Sequence, residues 1–328
     1  MTAAPGTTRP PRLLEDVPGW FPVLDQMLFT WFLERQRAAG VRGDLLEVGV
    51  YMGKSAILLG HHRRPGERYT VCDLFEGDAP DGANRAESTK SYASLSRQAF
   101  EENYLSFHDE LPRVLAGPSS LVPDEVEPGS CRFVHIDASH LYEHVSGDIG
   151  AARDLLGPDG IVVLDDFRSE HTPGVSVAAW EAVLNRGLRP VCLSTQKLYG
   201  TWGDPAPLQD ELLGMVRGRD DCHLSVQEAA GHTIVRLKSK GMRPPPFPFS
   251  RHHAGDTGDH SSHGGPDSAK ADPGKAGSER EAAARRPSPW RRRTRRIAVD
   301  LLPPLLTRAV RNARAVRRAR ARAPQGSR

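Results

Sequence analysis

The run Leu45-Leu46-Glu47-Val48-Gly49-Val50-Tyr51-Met52-Gly53-Lys54-Ser55 constrains this chain more than any other stretch. An apolar segment, Leu45–Val50, carries a single acid, breaks at glycines, and gives way at Lys54 to a helical pattern reaching His61. That is the signature of a strand, a tight turn and a helix. Glycines there let the backbone approach a ligand, and the helix start offers unpaired N–H groups. A purely structural β-to-α turn gives the same pattern. Glu47 favours a ligand, because a carboxylate at the end of an apolar strand is costly to bury unless it binds something, such as an ammonium group.

The alternation continues downstream. Further strands are predicted at Tyr69–Phe75, Arg113–Ala116, Arg132–Ile136 and Gly160–Leu164, with helices over residues 91–104, 142–156 and 175–186. Pro190–Leu193 and Thr233–Leu237 read as late antiparallel strands. Strands alternating with helices imply an α/β, Rossmann-like, doubly wound and mostly parallel sheet with helices on both faces. Upstream, Leu24, Met27, Leu28 and Trp31 mark a helix over residues 22–38, either packed on the core or capping the active site. The domain boundaries expected are a lead and helix over 1–39, a catalytic domain over 40–242, a disordered linker over 243–284 and a basic tail over 285–328.

In a parallel sheet the carboxyl ends of the strands share one edge, where ligands bind. Asp73 ends the second strand 24 residues after Gly49, a position suited to holding ribose hydroxyls, with Glu76 as a rival. The fourth strand leads into Asp137-Ala138-Ser139-His140 and the fifth into Asp165-Asp166. Three converging carboxylates repel unless a cation neutralises them, and oxygen donors suit Mg2+ or another hard divalent ion. The alternative is that one aspartate caps a helix and another faces solvent. His140 is placed to act as a general base, or serves as a structural hydrogen-bonding group. No G-x-x-x-x-G-K-[ST] phosphate loop surrounds Lys54-Ser55, which disfavours nucleotide hydrolysis.

Charge is unevenly spread. Of the 328 residues, those from Arg285 onward hold fifteen arginines and one acid, a formal +14 against +3 for the whole chain, so the preceding part is acidic. Pro303-Pro304 followed by Leu306, Ala309, Val310, Ala313 and Val316, with arginines on another side, reads as a basic amphipathic helix. Such a segment suits an anionic membrane surface, an acidic protein partner or nucleic acid, or else stays solvated. Cys72, Cys131, Cys192 and Cys222 form no C-x-x-C pair, which suits a reducing cytosol. Residues 1–19 lack the apolar core of a signal peptide. The expected location is therefore cytoplasmic, peripheral at the inner membrane face if the tail binds lipid. The histidines at 252, 253, 260 and 263 have no regular spacing and read as a solvated linker.

Taken together, Glu47-Val-Gly49-Val-Tyr51-Met-Gly53-Lys-Ser55, Ile136-Asp137-x-x-His140-x-Tyr142-Glu143 and Gly160-x-Val-Val-Leu-Asp165-Asp166-Phe167 resemble class I S-adenosylmethionine-dependent methyltransferases. The resemblance is strongest to the divalent-metal O-methyltransferases typified by catechol O-methyltransferase and to bacterial enzymes acting on sugars and natural products. It covers residues 40–170, extending towards 240. It implies that Glu47, Gly49, Tyr51, Gly53 and Ser55 surround the methionine part of the cofactor, that Asp73 takes the ribose, and that Ser119 or Ser120 lies near the adenine. It also implies that Asp137, Asp165 and Asp166 hold the metal and that His140 stands where the catechol enzyme has a basic lysine. The function implied is methyl transfer from S-adenosylmethionine to a hydroxyl of a small molecule or sugar, metal-assisted, in a monomer or homo-oligomer. Alternatives are a metal-independent N-methyltransferase, a cofactor-binding protein whose tail carries the function, and a dinucleotide-linked dehydrogenase. The last is weakened by Tyr51 at the second fingerprint glycine.

Overall fold

The computed structural model describes residues 9–77 and 95–253. The start of the helix expected over 91–104, most of the expected linker and the whole basic tail lie outside the described residues.

The described residues form nine strands: β1 (Asp44–Val48), β2 (Tyr69–Asp73), β3 (Arg113–Ala116), β4 (Cys131–Ile136), β5 (Leu156–Leu164), β6 (Arg189–Leu193), β7 (Leu198–Thr201), β8 (Cys222–Ala229) and β9 (His232–Ser239). One sheet holds them in the order β3-β2-β1-β4-β5-β7-β6-β9-β8. Strands β1 to β5 run parallel, and β7 is antiparallel to both its neighbours. Strand order reverses between β1 and β4, which opens a crevice beyond their carboxyl ends.

The helices are α1 (Val23–Ala38), α2 (Lys54–His61), α3 (Arg97–Leu105), α4 (Val122–Glu125), α5 (Tyr142–Leu155), α6 (Pro173–Asn185) and α7 (Ala206–Val216). Side chains along a strand alternate between faces, so each sheet face builds its own core. Leu45, Val71, Phe133 and Val163 pack with Leu28 and Phe32 of α1, Ile57 of α2 and Phe100 of α3. Leu46, Val134, Ile136 and Val162 pack with Ile149 of α5 and Ala178 of α6. The helix expected over 22–38 is α1, and its apolar stripe is core. The segment ahead of it, Pro18–Phe21, lines the site described below.

Two expectations need correction. Pro190–Leu193 and Thr233–Leu237 lie in β6 and β9, but these two meet in parallel, at Leu193 and Arg236. Their antiparallel partners are β7 and β8, which the residue pattern does not mark. The linker expected from residue 243 does not start there. Phe247 packs against His61 and Phe107, with ring centroids 5.2 and 6.1 Å away. Ser250 donates its hydroxyl to the Pro11 carbonyl at 2.6 Å, and its amide to that of Arg12 at 3.0 Å. An aromatic anchor and satisfied backbone groups order a proline-rich segment that composition alone marks as unstructured. Ending the chain at Met242 is therefore expected to destabilise it by about 2 kcal/mol relative to a chain ending at His253, roughly 4–8 °C in thermal midpoint. Superimposable melting curves for the two chains would contradict the packing.

Candidate functional site

A cavity of about 520 Å³ opens at the carboxyl edge of β1, β2, β4 and β5, within the range that holds a cofactor or drug-sized ligand. Four described non-glycine residues have positive φ. Three of them, Tyr51, Phe75 and Asp166, line this cavity, while Ala230 sits in the β8–β9 turn. Strain of this kind persists where surrounding structure enforces it and gathers at ligand sites.

The glycine turn is held from both sides. Asp73 accepts the amides of Val50 (2.8 Å) and Tyr51 (3.1 Å) on Oδ2, and that of Phe75 (2.9 Å) on Oδ1. Burial raises the Asp73 carboxyl above its ordinary value, and these three amide bonds oppose that rise. Gly49 has φ of 83°, and a Cβ there would overlap the Asp137 carbonyl and approach the Ala138 Cα to 2.9 Å. Glycine is thus required by the close approach of the β4 end. Tyr51 lines the cavity and stacks on Trp20, which is 71% exposed at its mouth (ring centroids 5.7 Å apart). Ser55, Asp73 and Ser119 also line it, whereas Glu47, Gly53 and Ser120 do not. Gly53 faces the Phe100 ring instead.

Glu47 is fully buried and already partnered. It accepts the hydroxyls of Ser55 (2.5 Å) and Tyr69 (2.6 Å) and contacts His135 Nδ1 at 2.8 Å. His135 is its register partner on β4. The buried acid does have partners, and they are Ser55 of α2, Tyr69 of β2 and His135 of β4 within the chain itself. Burial and the neighbouring Glu47 carboxylate push the Tyr69 phenol well up.

The same cavity is lined by Asp137, Asp165, Asp166 and His140. His135, Asp137 and Asp165 bring one donor atom each within 4.8 Å of the others. Asp166 points elsewhere: its Oδ2 lies 3.0 Å from His140 Nε2, and its Oδ1 accepts the Ser169 hydroxyl. Burial raises the Asp166 carboxyl, but hydrogen bonds from His140 and Ser169 outweigh it and hold the group below its ordinary value. A residue outside every sequence expectation completes the cluster. Lys197, 1% exposed at the start of the β7 region, forms an ion pair with Asp165 Oδ2, and its Nζ is 3.4 Å from His135 Nε2. Burial raises the Asp165 carboxyl, yet the Lys197 ammonium and His135 pull it down to about 2. Burial and the adjacent Asp165 push Asp137 well up.

A divalent ion fits this donor set poorly. Asp165 already neutralises an ammonium, His135 is engaged by Glu47, and Asp166 is turned to His140. Of the expected metal ligands Asp137, Asp165 and Asp166, the first two gather with His135 beside Lys197 and the third pairs with His140.

Residues 46–167 match the family described as "Methyltransferase domain". The chain is 27% identical over 149 residues to the 8-demethyl-8-(2,3-dimethoxy-alpha-L-rhamnosyl)-tetracenomycin-C 4'-O-methyltransferase of Streptomyces olivaceus, covering 41% of this chain and 57% of that protein. Among solved structures it is similar to the O-methyltransferase NovP (20% identity, TM-score 0.46, 55% of this chain and 81% of that one). It is also similar to CalS11, a TDP-rhamnose 3'-O-methyltransferase (21% identity, TM-score 0.37, 56% and 82%). The chain spans little more than half the length of the curated relative. None of the described helices is long and apolar enough to cross a membrane. The motif of β1, the switch-point cavity and the match over residues 46–167 agree in pointing to a methyltransferase domain.

Proposed function

We propose that this protein transfers a methyl group from S-adenosylmethionine to a hydroxyl of a sugar-bearing natural product or similar small molecule. One observation carries the reading: the Gly49–Tyr51 turn, Asp73 and the His140–Asp166 pair all line one cavity at the carboxyl edge of the sheet. The curated relative, whose name records methylation of a rhamnosyl 4'-hydroxyl, supports the acceptor class.

In this reading the methionine part of the cofactor lies along Gly49, Tyr51 and Ser55, its ribose meets Asp73, and its adenine lies near Ser119. The acceptor hydroxyl sits between the sulfonium methyl and His140. An oxygen lone pair forms the new O–CH3 bond while the C–S bond breaks and its electrons pass to sulfur, leaving S-adenosylhomocysteine. His140 takes the hydroxyl proton, and Asp166 stabilises the imidazolium that forms. The sulfonium is a reactive donor, so alignment supplies much of the acceleration. No step is routed through a metal ion, because the residues present do not fit one.

Asp73→Ala is expected to weaken S-adenosylmethionine binding roughly 10- to 100-fold, since a hydrogen bond to a charged group contributes about 1.5–3 kcal/mol. Calorimetric titration measures it. Unchanged affinity in a folded variant would remove Asp73 from the ribose site. The activity itself is tested by mass spectrometry of glycosylated aromatic acceptors incubated with protein and cofactor. A gain of one CH2 on a sugar is expected, and methylation confined to amines would overturn the O-methyl reading.

A further inference from the structure

Carboxylates gathered at the end of β4 and β5 need a compensating positive charge, and the chain supplies one from its own fold. Lys197 follows the turn between β6 and β7, where its amide and that of Gln196 are held by the Ser194 hydroxyl at 3.0 and 3.4 Å. Because β7 pairs with β5 next to Leu164, this turn is brought directly over Asp165. The Lys197 ammonium then lies among the same three donors, His135, Asp137 and Asp165, that would otherwise draw in a cation.

What Lys197 touches leads on to the reacting end of the cavity. Asp165 holds the ammonium with Oδ2 and accepts the Asp166 amide on Oδ1 at 2.7 Å. Asp166 has φ of 52°, a conformation that needs outside support, and its carboxylate orients His140 at 3.0 Å. We propose that Lys197 is the resident cation of this site: it takes the charge-balancing place of a divalent metal and, through Asp165, positions the Asp166–His140 pair. A divalent ion set against Asp165 would face the Lys197 ammonium already paired with the same carboxylate, and like charges at such close range repel. The proposal rests on the methyl-transfer reading only for its consequence in turnover. Its cation-binding consequence stands apart from that reading.

The test is Mn2+ binding to the full chain, followed by electron paramagnetic resonance, together with turnover in excess EDTA. Wild-type protein is expected to show no Mn2+ binding that disappears in Asp165→Asn, and to keep full turnover in EDTA. Lys197→Met removes the internal charge and is expected to create a Mn2+ site, which the added substitution Asp165→Asn abolishes. Lys197→Arg keeps a cation and is expected to stay free of Mn2+ at this site while retaining more turnover than Lys197→Met. A wild-type Mn2+ site that Asp165→Asn removes would overturn the proposal, as would turnover lost in EDTA and restored by Mg2+. The wild-type arms decide the matter even if Lys197→Met does not fold. Titration with S-adenosylmethionine reports separately on the methyltransferase reading, so failure of one is not mistaken for failure of the other.

Discussion

Gly49→Val is expected to be the most damaging single substitution at the site, lowering the thermal midpoint by more than about 10 °C and removing cofactor binding with it. Two costs add. A φ of 83° puts any L side chain in the left-handed region, at roughly 1–2 kcal/mol. The larger cost is contact with backbone, since a Cβ at this position overlaps the Asp137 carbonyl, and the Asp137 amide is bonded to the Val48 carbonyl at 2.7 Å. A flexible side chain would move aside, but a strand end hydrogen-bonded to its neighbour does not. The segment displaced is 137–140, which holds Asp137 and His140. Strain at a special φ combined with overpacking places the total above about 3 kcal/mol. Gly66→Ala is the control, because Gly66 has φ of 85° with nothing within 4 Å of its Cβ position, so only the conformational cost applies. Thermal unfolding and cofactor calorimetry on both variants settle it, and equal, small losses would show that the β4 contact does not matter.

Which residues reach the cavity is more legible in the sequence than how they pair within it. The β1 turn, Asp73, Asp137, His140, Asp165 and Asp166 were legible because each follows an apolar run at a strand end, and a parallel sheet brings those ends to one edge. Side-chain pairing across strands was not legible. Glu47 was expected to meet a ligand, although His135, a polar residue inside the apolar run Arg132–Ile136, offered a signal for a partner within the sheet. Only the register that sets Glu47 beside His135 turns that signal into a contact. Lys197 gave less to work with. It precedes Leu198 and Tyr199, both buried, but nothing local says that a β6–β7 hairpin folds back against β5. The charge-balance argument asks for a cation, and under the Lys197 proposal the chain supplies it from a residue whose place only the fold reveals. Strand β8 escaped notice because all but Cys222 of its residues lie outside the core, leaving little apolar alternation to read.

His140→Ala is expected to lower kcat by about 10²- to 10⁴-fold while leaving S-adenosylmethionine affinity nearly unchanged, the range typical for loss of a general base. In the proposed mechanism the imidazole meets the acceptor hydroxyl while the turn and Asp73 hold the cofactor, so cofactor binding has no reason to follow. The pH profile separates a base from a merely structural residue. In the wild type, kcat is expected to fall on the acid side as the proposed base is protonated. Asp166 sits 3.0 Å away and is itself held below the ordinary carboxylate value by His140 and Ser169, against burial, so it remains an anion as the imidazole titrates. An anion beside an imidazolium favours its charged form, so neutralising that anion in Asp166→Asn must make the imidazole easier to deprotonate. The acid limb of kcat then moves to lower pH, while the maximal rate drops because the imidazolium formed in the reaction loses its stabilising partner. In His140→Ala the remaining rate is expected to rise with pH without that limb, as hydroxide or a pre-ionised acceptor replaces the missing base. Stopped-time assays of methyl transfer across the pH range for the three proteins provide the measurement. If Asp166→Asn left the acid limb in place, or moved it to higher pH, the proton would be going to a group other than His140.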